Sequence, residues 1–388
     1  MFDTSVLANV TLFSTIPYSM SERQGTPGEA IQTELKLRGW TQDDLARILG
    51  RPRPAIVNVI QGKRGVTPDL AVGLAAAFGG TAEEWLAMEA TRQIKLLAPN
   101  GSSVVAQRRR LFEMAPIKDM QRRGWISETS DPAKLECELC EFFGIDAIDK
   151  EPSLSVATRR PGAAPLTIQQ RAWLFRAKRL AEAMPTAQFN SRVGNGLVKQ
   201  LRALAAYPIE ARRVPRILSE NGIRFVVVEG LPGGSIDGAT FWLNEYSPVV
   251  AISMRYDRVD WFWFTLCHEC AHVLNGDAIS VDNNLVGPDR DATVDDDIER
   301  RANAEAAAML ISPEEIDSFV RRVGPMYSKP RIIQFANRVR IHPGIVVGQL
   351  HHRNEVKPFA HREMLVKIRD YVVNSAITDG WGHSPGML

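Results

Sequence analysis

Cys267-His268-Glu269-Cys270-Ala271-His272 is the stretch from which the fold of this chain can be read. It is an H-E-x-x-H word inside a run of helical character. At about 100° per residue, His268 and His272 stand about 40° apart and roughly 6 Å along a helix, so two imidazoles converge on one point, a geometry that suits zinc. Glu269 falls on the flank of the same face, where a carboxylate can take a proton from an attacking water without itself binding the ion. Upstream, Asp260-Trp261-Phe262-Trp263-Phe264-Thr265-Leu266 is mostly aromatic and aliphatic. Such a helix is buried on most sides, and a buried helix rarely carries two histidines and a glutamate without a task for them. Asn275-Gly276 supplies the stop.

A zinc site that hydrolyses peptides needs a third protein ligand and an open fourth position. The best candidate is Glu299, at the head of the Ala-rich periodic stretch Glu299 to Ile311. Asn303 stands at i+4 on the same face, placed to hydrogen-bond a ligand from behind. Glu305 is the competing ligand, about 120° round the helix from that edge. Ahead of the H-E-x-x-H helix, Ile223 to Val228, Gly238 to Leu243 and Val249 to Met254 read as three short strands, rich in β-branched and aromatic residues. Three strands and then this helix is the order a zincin-like peptidase requires, with an edge strand free to pair with an extended substrate. Tyr256 and His342 are candidates for stabilising the oxyanion.

The H-E-x-x-H word, the E-x-x-A-N-x-x-A pattern that begins at Glu299 and the apolar stretch ending at Pro313 together resemble the ImmA/IrrE family of zinc metallopeptidases, over roughly Ile217 to Ile316. The resemblance implies a gluzincin-like zinc metallo-endopeptidase, with Zn2+ held by His268, His272 and Glu299 and with Glu269 as general base. The chain departs from the pattern at Cys270-Ala271, where a larger aliphatic beside a small residue is expected. That touches packing and leaves the ligands intact.

The four cysteines form two C-x-x-C pairs, Cys137/Cys140 and Cys267/Cys270. On the second helix the midpoint of the pair points about 150° away from the histidines, which favours thiols packed as small hydrophobes over a second metal site. So few cysteines without framework spacing indicate a reducing compartment.

A second signal lies from Pro27 to Glu89. Segments Glu29 to Arg38, Gln42 to Leu49, Pro52 to Gln61, Asp69 to Phe78 and Ala82 to Ala90 are short, amphipathic and punctuated by glycine. Thr41 caps the second, with Asp44 as its acidic partner three residues on. Ala46 is small enough for a tight crossing. This is helix-turn-helix arithmetic, with the third segment as recognition helix. The run Arg51 to Arg64 holds Arg51, Arg53, Lys63 and Arg64 and no acid, a basic edge for phosphates, while Arg53 and Asn58 stand where base edges are read.

Pro27-Gly28-Glu29, Gly39-Trp40-Thr41-Gln42, Gly62-Lys63-Arg64 and Glu84-Trp85-Leu86 are similar to the HigA-like branch of the lambda-repressor-type helix-turn-helix family, over roughly Pro27 to Thr91. The resemblance implies a regulator that binds double-stranded operator DNA as a homodimer and holds a toxin partner. Pro52 and Pro54 depart from it, standing where polar residues usually begin the recognition helix, and Val57 puts an apolar group where a polar one is commoner.

The 388 residues are 45% hydrophobic and 24% charged with a net charge of +2, which suits two or three globular domains and makes no case for a membrane surface. No run approaches the roughly 18 apolar residues of a spanning helix. The expected fold class is α+β, mostly helical: an N-terminal five-helix domain and a zincin-like domain with a small sheet. The boundaries expected are a disordered tail (1–24), a DNA-binding domain (25–95), a linker with connecting helices (96–165, with hinges at Pro99 to Ser103 and Ser153 to Pro165), a peptidase domain (166–320) and a helical extension (321–388). Leu166 to Leu204 has helical spacing. The acidic stretch Asp289 to Glu299 reads as a solvated loop, and Ile332 to Leu350 as a further helix-turn-helix pair. The function expected is a cytoplasmic transcription regulator whose peptidase domain cleaves a repressor or partner protein. The alternative is a HigA-type antitoxin and autorepressor whose peptidase-like domain only binds a toxin or senses a ligand.

Overall fold

The computed structural model describes residues 25–97, 101–152, 165–277, 280–282 and 297–381. The expected tail (1–24), nearly all of the proline-rich linker (153–164) and the acidic run 289–296 lie outside the described residues. The chain divides into two compact units, residues 1–106 and 107–388.

The first unit is a bundle of five helices, α1 (Pro27–Arg38), α2 (Gln42–Ile48), α3 (Arg53–Ile60), α4 (Pro68–Phe78) and α5 (Ala82–Leu97). Their starts are written in the sequence. Thr26 and Glu29 form a reciprocal capping box on α1, and Thr41 and Asp44 form another on α2, where Thr41 N–H donates to Asp44 Oδ2 at 2.8 Å and Asp44 N–H to Thr41 Oγ1 at 3.2 Å. Leu45, Ala46, Ile56, Leu74 and Trp85 are buried in the shared core. Gly28 is needed where α1 meets α3: a Cβ there would sit 2.3 Å from the Ile60 carbonyl oxygen. The fifth helix runs on past Ala90 to Leu97.

The chain continues through α6 (Gly101–Met114), α7 (Ile117–Arg122), α8 (Pro132–Phe143), α9 (Ile168–Glu182), α10 (Gly194–Leu204) and α11 (Val214–Glu220). Gly101 to Ser103, expected as hinge, is therefore the start of a helix. The helical spacing from Leu166 to Leu204 is broken into α9 and α10, because Pro185 disfavours helix at the residue before it and offers no N–H to the preceding turn.

Then come β1 (Arg224–Val227), β2 (Gly238–Trp242), β3 (Pro248–Ile252), α12 (Val259–Asn275), β4 (Ser280–Asp282), α13 (Asp297–Leu310), α14 (Pro313–Val323), α15 (Lys329–Val339), α16 (Pro343–His352), α17 (Arg369–Val373) and β5 (Ile377–Thr378). The strands form one mixed sheet in the order β4-β2-β3-β1-β5, with β1 parallel to β3 and β5, and β2 antiparallel to β3 and β4. All three anticipated strands are thus interior. The margins of the sheet are β4 and β5, which pair with β2 and β1.

Alternation along the strands divides the second unit into two cores. Val226, Val228, Ala239, Phe241, Val249 and Ala251 pack with Leu139, Phe142, Trp173 and Phe175 of α8 and α9. Phe225, Val227, Val250 and Ile252 pack with Trp261, Phe262, Leu266 and Val346 of α12 and α16. Residues 107–152, expected as linker and connecting helices, therefore join α9 in the core on one face of the sheet, and residues beyond 321 supply an edge strand and a helix against α12. At that last crossing a Cβ on Gly348 would lie 2.6 Å from Asp260 Cβ, so the two helices meet at van der Waals limit. Among the described residues no helix is long and apolar enough to cross a membrane.

Candidate metal centre and nucleic-acid interface

Helix α12 carries the H-E-x-x-H word through the middle of the second unit, every residue from Val259 to Val273 being buried. Helical spacing brings His268 Nε2 and His272 Nε2 to 3.0 Å from each other, with their rings steeply inclined. Glu299, in the first turn of α13, places Oε2 at 3.2 Å from His268 Nε2 and 3.5 Å from His272 Nε2. The three donor atoms lie within 4.8 Å of one another and form a group able to hold a metal ion. Ligand nitrogens and oxygens of a tetrahedral zinc bound at 2.0–2.1 Å would be about 3.3 Å apart, so the three observed separations fit that ion without rearrangement. The small residues Ala302 and Ala306, both buried, let α13 come close to α12.

Two imidazoles and a carboxylate at 0%, 0% and 13% side-chain exposure are costly to bury without a cation to share. Burial alone would raise the Glu299 carboxyl. Hydrogen bonding and charge from His268 and His272 outweigh it and hold the group below the usual carboxylate range. The competing residue Glu305 points elsewhere, accepting from Asn275 Nδ2 at 2.7 Å.

Glu269 is fully buried between α12 and the sheet. The Thr240 hydroxyl, on the face of β2 turned to α12, donates to Glu269 Oε2 at 2.8 Å and lies 3.0 Å from the Glu269 carbonyl oxygen. The neighbouring strand residue is Gly238, whose absent side chain leaves room for the carboxylate: a Cβ there would be 2.3 Å from Oε1.

Asn303, expected behind the ligands, makes no hydrogen bond to His268, His272 or Glu299, and its buried Oδ1 has no partner among the described residues. The outer nitrogen of His272 is taken instead by Asp277, with Nδ1 and Oδ2 2.8 Å apart. Sequence reasoning missed Asp277. The signal was present, a carboxylate directly after the Asn275-Gly276 helix stop. Tyr256 packs edge-on against Trp261, and His342 caps α16 by accepting the Gly344 N–H at 3.0 Å. Cys267 and Cys270 are buried, and burial pushes the Cys267 thiol up to about 12 and that of Cys270 well above its ordinary value, as expected of core packing. Cys137 is exposed, contrary to that expectation.

In the first unit, α2, the turn at Gly50 and α3 form the helix-turn-helix. Arg53, Asn58, Lys63 and Arg64 are exposed along α3 and the turn after it. Lys63 and Arg64 follow a helix end where both backbone N–H groups donate to the Asn58 carbonyl, which holds the main chain of the turn. Arg51 differs: it is half-buried and ion-paired with Asp69 in the first turn of α4. Pro54 falls in the first turn of α3, where its missing N–H costs no hydrogen bond, and Pro52 is the extended N-cap residue.

A family model described as helix-turn-helix matches residues 31–86. Virulence-associated protein I of Dichelobacter nodosus is 33% identical over 79 residues, which is 20% of this chain and 73% of that protein. Through this N-terminal domain the chain belongs to the helix-turn-helix family, in its lambda-repressor-type form. The match supports a DNA-binding regulator with double-stranded DNA as its ligand.

Proposed function

We propose that this chain is a DNA-binding transcription regulator whose second unit is an ImmA/IrrE-like, zinc-dependent endopeptidase acting on a repressor or partner protein. The observation that carries the reading is the meeting of His268 Nε2, His272 Nε2 and Glu299 Oε2 from two separate helices, with Glu269 beside them but engaged to Thr240. His268, His272 and Glu299 hold the ion. Zinc, when bound, supplies Lewis-acid polarisation of the scissile carbonyl and a more acidic water. Glu269 takes the proton of the attacking water and hands it to the leaving amine. Thr240 and Gly238 set where that carboxylate stands.

The test is zinc content and cleavage together. The wild-type chain is expected to carry about one equivalent of zinc, lost in His268→Ala. Glu269→Gln is expected to keep the zinc and to abolish cleavage of peptides from a quenched-fluorescence library. A wild-type chain without zinc, or a Glu269→Gln chain that still cleaves, removes the reading.

On the DNA side, Lys63 and Arg64 contact phosphates. Lys63→Ala and Arg64→Ala are each expected to weaken binding to mixed-sequence duplex and to reduce the slope of log K against log salt by about 1. Arg53→Ala is expected to flatten discrimination between duplexes as well. Arg51→Ala should leave the salt slope unchanged, because its guanidinium is already committed to Asp69. An equal drop in slope for Arg51→Ala would show that the Asp69 pair opens on DNA.

A further inference from the structure

Gly276 ends α12 in the left-handed conformation and turns the chain back over the last helical turn, so that the next residue, Asp277, meets His272 twice. The Asp277 N–H donates to the His272 carbonyl at 3.0 Å, and Asp277 Oδ2 lies 2.8 Å from His272 Nδ1. The same carboxylate receives Arg301 Nη2 at 2.8 Å and 3.1 Å on its two oxygens. Arg301 belongs to α13, two residues beyond Glu299. A fourth contact fixes the turn from the sheet side, where Trp242 Nε1 donates to the Asp277 carbonyl at 2.8 Å.

These contacts close a ring from one metal-ligand helix to the other: His272, Asp277, Arg301 and, along α13, Glu299. An imidazole has one ring proton when neutral, and a carboxylate beside Nδ1 keeps it there. The lone pair is then on Nε2, the atom that faces His268 and Glu299. We infer that Asp277, steered by Arg301, is the positioning residue of the metal centre: it holds His272 in the metal-binding tautomer and ties that hold to the docking of α13. The inference rests on the zinc reading above. It adds that the ligand set is assembled by a partly buried carboxylate and an outer arginine before any ion arrives, and that both set the affinity for zinc.

Zinc affinity of the full-length chain, measured by competition with a chromophoric chelator, tests this. Asp277→Ala is expected to bind zinc about 10- to 100-fold more weakly than wild type. Arg301→Ala, at a side chain 44% exposed, is expected to lose roughly 2- to 5-fold. Arg301→Lys should recover most of that loss, and the Asp277→Ala/Arg301→Ala double variant should be no weaker than Asp277→Ala alone, since the arginine acts through the carboxylate. The His272 ring 15N shifts of the metal-free chain provide a readout that a purely structural role would not move, with the proton on Nδ1 in wild type and tautomers mixed in Asp277→Ala. Metal-free melting curves identify any variant that fails to fold, and Arg301→Ala, being at the surface, keeps the test open in that case. Zinc affinities of Arg301→Ala and Asp277→Ala both within twofold of wild type overturn the inference while leaving the zinc site standing. A wild-type chain that binds no zinc overturns both.

Discussion

Gly238→Ala is expected to leave zinc content unchanged and to lower peptide hydrolysis by about 10²- to 10⁴-fold, the loss that accompanies a misplaced general base. The added methyl would stand 2.3 Å from Glu269 Oε1 and 3.0 Å from Cδ, closer than any real contact allows. An exposed glutamate would swing aside at little cost. Glu269 is wholly buried, with Thr240 donating to its other oxygen, so every escape breaks that hydrogen bond or enters packed core. The strand is less free to yield than the side chain, because Gly238 pairs with Ile252 on one side and Asp282 on the other. The three ligand atoms belong to α12 and α13 and are not touched. Thr240→Val, which keeps the shape and removes the donor, is expected to move the rate in the same direction without displacing the ion. Hydrolysis by Gly238→Ala at the wild-type rate, with zinc bound, would show that Glu269 does not carry the proton from where it stands.

Local patterns made much of this legible in advance. Spacing of two histidines along a helix, and of Glu299 at the head of an Ala-rich one, needs only helical geometry, and all three meet. The capping boxes at Thr26 and Thr41 and the alternation of β1 to β3 are equally local. What sequence could not reach is contact between distant segments. Asn303 had the right helical phase for a supporting role, but the outer face of His272 looks toward the helix end, where the turn at Gly276 delivers Asp277. Arg51 belonged to a basic run, and its ion pair with Asp69, eighteen positions on, could not be read from that run. The edge strands β4 and β5 are too short to show any alternation, so the sheet's true margins were invisible. Residues 107–152 read as connecting helices for a related reason: their apolar faces are those of ordinary surface helices, and only the sheet's second face reveals what they cover.

The strongest expression of that long-range assembly is one ion pair, and its removal has the largest stability effect expected here. Arg123, between α7 and α8, and Asp379, just after β5, have side chains only 3% and 2% exposed and approach to 3.5 Å. Arg123 also donates to the carbonyls of Glu229 at 2.6 Å and Gly230 at 2.8 Å, directly after β1, and its guanidinium is flanked by the rings of Trp125 and Trp381. Burial depresses the Arg123 pKa and raises that of Asp379, each partner opposing the shift of the other. Each charge is therefore tolerated because the other is present. Asp379→Ala removes the largest counter-charge on a buried guanidinium, leaving it two carbonyls and the weaker pull of Glu229 and Asp119, and is expected to cost about 3 kcal/mol in denaturant unfolding. Replacing both groups by apolar residues of similar size, Arg123→Met with Asp379→Leu, is expected to regain much of it, since no charge is then desolvated. A cost below about 1 kcal/mol for Asp379→Ala would mean that water reaches the pair. The expected cost would mean that a segment read from sequence as linker and another read as extension are pinned together across the end of β1, so that the sheet carrying Gly238 and Thr240 depends on both for its shape.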